Sequence, residues 1–231
     1  VSAIGTWLDW LFYSPCVVCG ARGRGALCQD CREDLPHNLC ACPRCALPMP
    51  WPGHCPACLR RPPFYVSCMA PFVYEFPINS LVLQMKSGSR PYLARNFGEW
   101  LAAAARARDA ALPQALVPMP LHHGRLRRRG FNQSLEMCRW LRDELGTPID
   151  PCGLKRRPGR PQQGLAAGER RANVRNAFFL PGGRRLPEYR HVAIVDDVVT
   201  TGSTANELAR TLRRGGIGHI EVWALARAAA M

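Results

Sequence analysis

The chain has 231 residues, 47% of them hydrophobic, and a formal net charge of +14. That length suits one ordinary domain plus a smaller one, and the apolar content excludes disorder as the default state. Residues 1–70 carry 6 Arg against 4 acids, whereas residues 71–231 carry 25 Lys+Arg against 13 acids. The positive field therefore belongs to the C-terminal part, where it favours a polyanionic ligand: phosphate esters, nucleic acid or both.

Residues 1–13 hold Ile4, Trp7, Leu8 and Leu11 on one face of a predicted short helix, without the basic start or cleavage site of a secretory signal. No apolar run approaches the roughly 18–20 residues of a membrane span. Ten of the twelve cysteines precede residue 70. With no sign of secretion, the expected compartment is the cytoplasm, where paired cysteines point to metal rather than disulfides.

Residues 14–60 contain four Cys-x-x-Cys pairs: Cys16/Cys19, Cys28/Cys31, Cys42/Cys45 and Cys55/Cys58. Two intervening residues let a tight turn aim both thiolates at one ion, and two such knuckles complete a closed, structural Cys₄ zinc (Zn2+) shell. A sequential pairing, first with second and third with fourth, needs only local loop closure. A cross-braced pairing is the alternative. Cys40 and His54 lie beside the knuckles and are read as bystanders. A module this short lacks a core of its own, so folding is expected to depend on metal.

Prolines 48, 50, 52, 56, 62, 63 and 71 mark a stiff boundary, with residues 61–71 read as a linker and residues 72–231 as the second domain. There the pattern predicts helices over Phe76–Met85, Leu93–Arg108, Asn132–Leu145 and Ser203–Arg214. Strands are predicted over Ala115–Pro118, Val174–Leu180, His191–Val195 and Ile220–Ala226. Alternating strands and helices imply an α/β fold with a parallel sheet flanked by helices, and a ligand at the carboxyl ends of its strands.

The most informative segment runs Val192-Ala193-Ile194-Val195-Asp196-Asp197-Val198-Val199-Thr200-Thr201-Gly202-Ser203-Thr204. A buried strand leads into two carboxylates, and a hydroxyl- and glycine-bearing turn then opens a helix. Such a turn offers a phosphate monoester hydroxyls, free backbone N–H groups and a helix N-terminus. The carboxylates can accept hydrogen bonds from vicinal ribose hydroxyls. The Gly-x-x-x-x-Gly-Lys-Ser/Thr of a P-loop is absent, which disfavours an ordinary NTPase.

This segment resembles the phosphoribosyl pyrophosphate signature of type I phosphoribosyltransferases. Further stretches narrow the resemblance to the ComF family, including its GntX-like members. They are Val117-Pro118-Met119-Pro120, Arg125, Arg129-Gly130-Phe131-Asn132-Gln133, Gln163-x-Leu165, Glu169-Arg170-Arg171-x-Asn173-Val174 and Ala177-Phe178. In this chain Leu165 follows Gln163 by two residues rather than the family's three. The resemblance implies a type I phosphoribosyltransferase-like domain behind a double zinc ribbon. It implies that Asp196 and Asp197 hold the ribose hydroxyls and that Thr200, Thr201, Gly202, Ser203 and Thr204 cradle the 5′-phosphate. Lys86, Arg125 and Arg129 would face the pyrophosphate, and magnesium (Mg2+) would arrive with that pyrophosphate. No acceptor pocket or general base is legible, so transfer of phosphoribose to an acceptor is an expectation of the resemblance alone.

A second function follows from the charge and from the family's association with natural transformation. In it the protein handles single-stranded DNA, in company with DNA-uptake machinery, and the phosphoribosyl site is regulatory. Lys155, Arg156, Arg157 and Arg160 are the candidate backbone contacts, in a Gly- and Pro-containing stretch that reads as a mobile loop. Phe131, Tyr92 and Trp140 are candidate stacking residues. A third, weaker reading is a zinc adaptor with an inactive transferase-like fold.

Overall fold

The computed structural model describes residues 14–23, 25–157, 176–181 and 188–229. The helix expected within residues 1–13, and Arg160, Gln163, Leu165 and residues 169–175, lie outside the described residues.

The N-terminal module is built from β1 (Ser14–Pro15), β2 (Arg22–Gly23), α1 (Gln29–Glu33) and α2 (Pro56–Arg60). β1 and β2 pair antiparallel around the first knuckle. In α2 the metal spacing also caps the helix: Cys55 is its N-cap and accepts a hydrogen bond from the Cys58 amide, and Pro56 takes the first turn, where no donor is needed.

The second part follows as β3 (Ser67–Met69), β4 (Phe72–Val73), α3 (Ile78–Ser87), α4 (Leu93–Arg106), β5 (Ala115–Pro118) and α5 (His123–Arg129). It continues with α6 (Gln133–Leu145), β6 (Lys155–Arg156), β7 (Phe178–Phe179), β8 (His191–Val199), α7 (Ser203–Arg214) and β9 (His219–Arg227). The central sheet runs β3-β9-β8-β5, with β4 also on β9, and every one of these pairings is parallel. This is a parallel sheet flanked by helices behind a zinc-ribbon module, the fold class expected from the sequence.

β8 and β9 are buried on both faces, which explains their near-continuous apolar runs. Successive side chains alternate between two cores. Ala193, Val195, Trp223 and Leu225 face a layer formed by α3, α4 and α6, with Leu81, Phe97, Leu101, Met137 and Leu141. Val192, Ile194, Ile220 and Val222 face the other layer, against Leu208 and Leu212 of α7. α4 and α6 approach so closely at Gly98 that a Cβ there would stand 2.5 Å from the Trp140 Cβ. The two knuckle pairs pack differently: Cys16, Leu27 and Cys28 join the first core, while Cys42, Cys55 and Cys58 form a small cluster of their own with Met49, and the neighbouring Ala46 joins the second core.

Three expectations need correction. The Pro-rich stretch is not only a linker, since Ser67–Met69 within it pairs with Glu221–Trp223 as an edge strand. Its three residues are too few to show a period in the sequence. The strand expected over Val174–Leu180 appears among the described residues only as Phe178–Phe179, and it pairs antiparallel with Lys155–Arg156 outside the main sheet. The third concerns β8, which continues past Val195 to Val199, so both carboxylates lie within the strand. β9 supports this extension, pairing as far as Val199 with Arg227, whereas β5 stops opposite Val195. Beyond that point one side of β8 is open. There the crevice begins.

Candidate functional site

The thiols gather into two sets, Cys16/Cys19/Cys28/Cys31 and Cys42/Cys45/Cys55/Cys58, with all sulfurs of a set within 4.8 Å of one another. The pairing is sequential. The Sγ atoms of Cys19 and Cys28 are 3.6 Å apart, as are those of Cys45 and Cys55. Four sulfurs about 2.3 Å from one zinc ion stand ~3.8 Å apart in a tetrahedron, so the donor sets fit the metal. Burial opposes ionisation of Cys42, but the amides of Cys55 and Cys45 and the side chain of His54 outweigh it and lower its thiol to about 6. His54 thus supports a ligand without joining either set. Cys40 also stays outside both.

The second feature is a cleft of about 240 Å3 at the carboxyl end of the sheet, lined by Lys86, Arg125, Arg129, Arg156, Asp196, Asp197 and Thr200–Thr204 among others. Its floor is the open end of β8. Asp197 is only 4% exposed. Its Oδ2 lies 3.1 Å from Lys86 Nζ and has no other hydrogen-bond partner among the described residues. The Ser134 hydroxyl lies 3.4 Å from Asp196 Oδ1. Burial, then the neighbouring charge of Asp197, raises the Asp196 carboxyl to about 7, against the pull of Lys86 and Arg156. Two adjacent carboxylates with spare acceptor capacity thus face a basic wall.

The Thr200–Thr204 turn is shaped by its backbone. Gly202 caps α7 in the left-handed region with φ 72°, a conformation that glycine adopts without strain. A Cβ there would also meet the Tyr65 hydroxyl at 3.2 Å. The hydroxyls of Thr201 and Ser203 are 2.8 Å apart, and Thr201 Oγ1 accepts from the Ser203 amide at 3.3 Å. The positive end of the 12-residue helix lies behind this turn.

The basic wall comes from two directions. Arg125 and Arg129 are one turn apart on α5 and reach the cleft, while Arg127 and Arg128 on its other side are exposed. Arg129 donates to Gln133, the first residue of α6. Between the helices Gly130 supplies the left-handed cap of α5 with φ 82°, and the Asn132 side chain caps α6 by accepting from the Ser134 amide at 3.0 Å. The Arg-Gly-Phe-Asn-Gln stretch is therefore a double cap that aims two arginines. Burial lowers the pKa of Arg129, an effect that Asp197 opposes. Arg156 comes from β6, with its guanidinium 5.5 Å from the Phe178 ring centre.

A double zinc ribbon domain model matches residues 7–59. Over 230 residues the chain is 34% identical to Competence protein F of Haemophilus influenzae, covering 94% of this chain and 98% of that protein. The chain belongs to the ComF family. It is also 36% identical to DNA utilization protein YhgH of Salmonella typhimurium and of Escherichia coli K12, in each case over 95% of this chain and 96% of the relative. One solved structure, of Trypanosoma cruzi hypoxanthine phosphoribosyl transferase, overlaps with a TM-score of 0.36 at 14% identity, over 64% of this chain and 76% of that one. So loose an overlap carries no argument.

Of the ComF-like positions, Asp196, Asp197, Thr200–Thr204, Lys86, Arg125 and Arg129 all line the one cleft. Arg156, read from the sequence as a DNA contact, lines it too, while Lys155 and Arg157 remain exposed. Phe131 packs against the core and Trp140 is half-buried beneath Arg95, which leaves Tyr92 as the exposed ring of the three stacking candidates.

Sequence reasoning missed Arg227. Buried at the end of β9, it donates through Nε to the Cys45 carbonyl at 2.9 Å and through Nη1 to the carbonyls of Val199 and Thr200. One guanidinium thus joins the second zinc set to the start of the Thr200–Thr204 turn. A lone arginine after an apolar strand gives no sign of this.

Proposed function

We propose that the cleft binds phosphoribosyl pyrophosphate and that the protein is a phosphoribosyltransferase that transfers phosphoribose to an acceptor. The observation that carries this reading is the joining of Asp196, Asp197, the Thr200–Thr204 turn and four cationic side chains in one cleft. Asp197 Oδ2, buried and paired among the described residues only with Lys86, has capacity left for a ribose hydroxyl, and Asp196 offers the neighbouring acceptor. The turn and the N-terminus of α7 take the 5′-phosphate. Arg125, Arg129 and Arg156 face the pyrophosphate, and Lys86 orients Asp197.

Bond breaking at the anomeric carbon leaves positive charge on the ribose and negative charge on the departing pyrophosphate. The three arginines stabilise the leaving group where that charge grows, and the carboxylates fix the ring. The oxygens of Asp196 and Asp197 are hard donors suited to magnesium, which when bound would neutralise pyrophosphate charge. The expected compartment is the cytoplasm, in keeping with two all-thiolate metal sets.

Calorimetry with phosphoribosyl pyrophosphate tests this reading. Binding by the wild type and its loss in the Asp196→Ala/Asp197→Ala variant support it, whereas unchanged binding in that variant defeats it.

A second reading concerns single-stranded DNA and the uptake machinery suggested by the names of the relatives. Arg127, Arg128, Lys155 and Arg157 are exposed outside the cleft and suit a phosphate backbone. In this reading the cleft ligand regulates DNA handling. Absence of salt-sensitive DNA binding at moderate ionic strength would exclude it.

A further inference from the structure

The opposite end of the same two strands carries a cluster with no part in the cleft. His191 opens β8 and His219 opens β9, and the two are register partners. Glu221 lies two residues further along β9, so the strand period places it on the same face as His219. The ligand-capable atoms of all three lie within 4.8 Å of one another. Glu221 Oε1 stands 3.4 Å from His191 Nε2 and 3.6 Å from His219 Nε2. Donors about 2.0–2.1 Å from a tetrahedral zinc ion stand ~3.3–3.4 Å apart, close to these separations. His191 Nε2 is buried without a hydrogen-bond partner among the described residues.

Glu221 is held for such a task. Its Oε2 accepts from Trp223 Nε1 at 2.7 Å and from Arg108 Nη1 at 2.9 Å, which leaves Oε1 turned toward the two imidazoles. Ligands on paired strands, with the carboxylate oriented by a buried indole, form a rigid half-shell. Arg108 also supplies a positive charge beside it, which weakens affinity for a cation. The mixed nitrogen and oxygen donors suit a borderline divalent ion. Asp196 lies five positions along β8 from His191, about 16 Å at the usual rise, so the two sites do not overlap.

We propose that His191, His219 and Glu221 form a third metal site, which takes one zinc-class divalent cation through two imidazole nitrogens and one carboxylate oxygen. Solvent fills the remaining coordination, since the His219 side chain is 50% exposed. The site exchanges its ion readily, unlike the two four-thiolate sets.

The test is calorimetric titration of zinc chloride into full-length protein whose ribbon zinc has been verified by elemental analysis. The wild type should take up one further equivalent. His219→Ala and His191→Gln should each weaken that step by at least about tenfold, while their ribbon zinc and melting temperature stay near wild type. His123→Ala, which removes an exposed histidine elsewhere, should leave the step unchanged. No further equivalent in the wild type, or one that survives His219→Ala at full affinity or disappears in His123→Ala, overturns the proposal.

Discussion

The zinc module and the cleft solve the problem of gathering a site in opposite ways. Each Cys₄ set draws its ligands from at most 17 consecutive residues, so local turns suffice to bring them together. The cleft draws Lys86 from α3, Arg125 and Arg129 from α5, Arg156 from β6 and the carboxylates from β8, segments spread over more than a hundred residues. A ribbon site therefore stands or falls with its ion, whereas the cleft depends on the whole sheet. Arg227 is the point at which the two systems meet.

The largest expected effect comes from removing metal. Structural zinc contributes roughly 10 kcal/mol or more in small metal-dependent folds. Strong chelation should therefore unfold the ribbon before the sheet, read by hydrogen exchange as loss of protection in residues 14–60 first. Simultaneous loss across β8 and β9 would show that the two systems are one cooperative unit.

The next effect belongs to the cleft alone. The Asp196→Ala/Asp197→Ala variant should bind phosphoribosyl pyrophosphate about a hundredfold more weakly in calorimetry, the scale of losing two charge-assisted hydrogen bonds. Its ribbon zinc content should not change.

Arg227 sharpens the comparison because it belongs to both. Arg227→Met frees the Cys45, Val199 and Thr200 carbonyls from their shared donor. Ligand affinity should fall several-fold, although Arg227 does not line the cleft. Cys45→Ser should reproduce the loss. Cys16→Ser, in the set packed against the other core, should do so less. Equal effects from both cysteine variants would argue against a specific link through Arg227.

Arg156 and Arg157 are neighbours in sequence but differ in surroundings. Arg156→Met should weaken phosphoribosyl pyrophosphate binding, because Arg156 lines the cleft. Arg157→Met should spare that binding and lower only single-stranded DNA affinity, with a shallower salt dependence. Equal effects of the two on both ligands would remove the distinction.

A separate effect is one of pH. Asp196 has a folded-state pKa of about 7, above its ordinary 3.8, because burial and Asp197 penalise its charge. A raised carboxyl pKa means that folding favours the protonated form, so stability falls as pH rises from about 4 through 7 and the penalty is then constant. Asp196→Asn removes that penalty. Its melting temperature should exceed the wild type's at pH 8, with the difference shrinking toward pH 4. A pH-independent difference would show that Asp196 titrates normally.

Much of the molecule was legible because its signals are local. Cys-x-x-Cys spacing marked the zinc ligands, double-sided apolar runs marked β8 and β9, and a strand, two carboxylates and a hydroxyl-rich turn marked the cleft. Other elements carried weaker signals. α5 has three arginines in its last turn and no buried residue, so it has no apolar stripe to read. β3 is shorter than any usable period and sits in a proline-rich stretch.

The sequence by itself determined the eight cysteines of the zinc sites, the parallel α/β class and the run from two carboxylates into a hydroxyl-rich turn, since each depends on residues close together in the chain. Only the tertiary structure decided how the knuckles pair, that Lys86 pairs with Asp197, that Arg156 enters the cleft while Arg157 does not, and that Arg227 ties the ribbon to the Thr200–Thr204 turn. The physical reason lies in where each constraint acts. Turn geometry and strand alternation operate over a few residues and leave a repeating mark, whereas a contact such as Arg227 with Cys45, 182 residues apart, exists only once the sheet has brought its partners together.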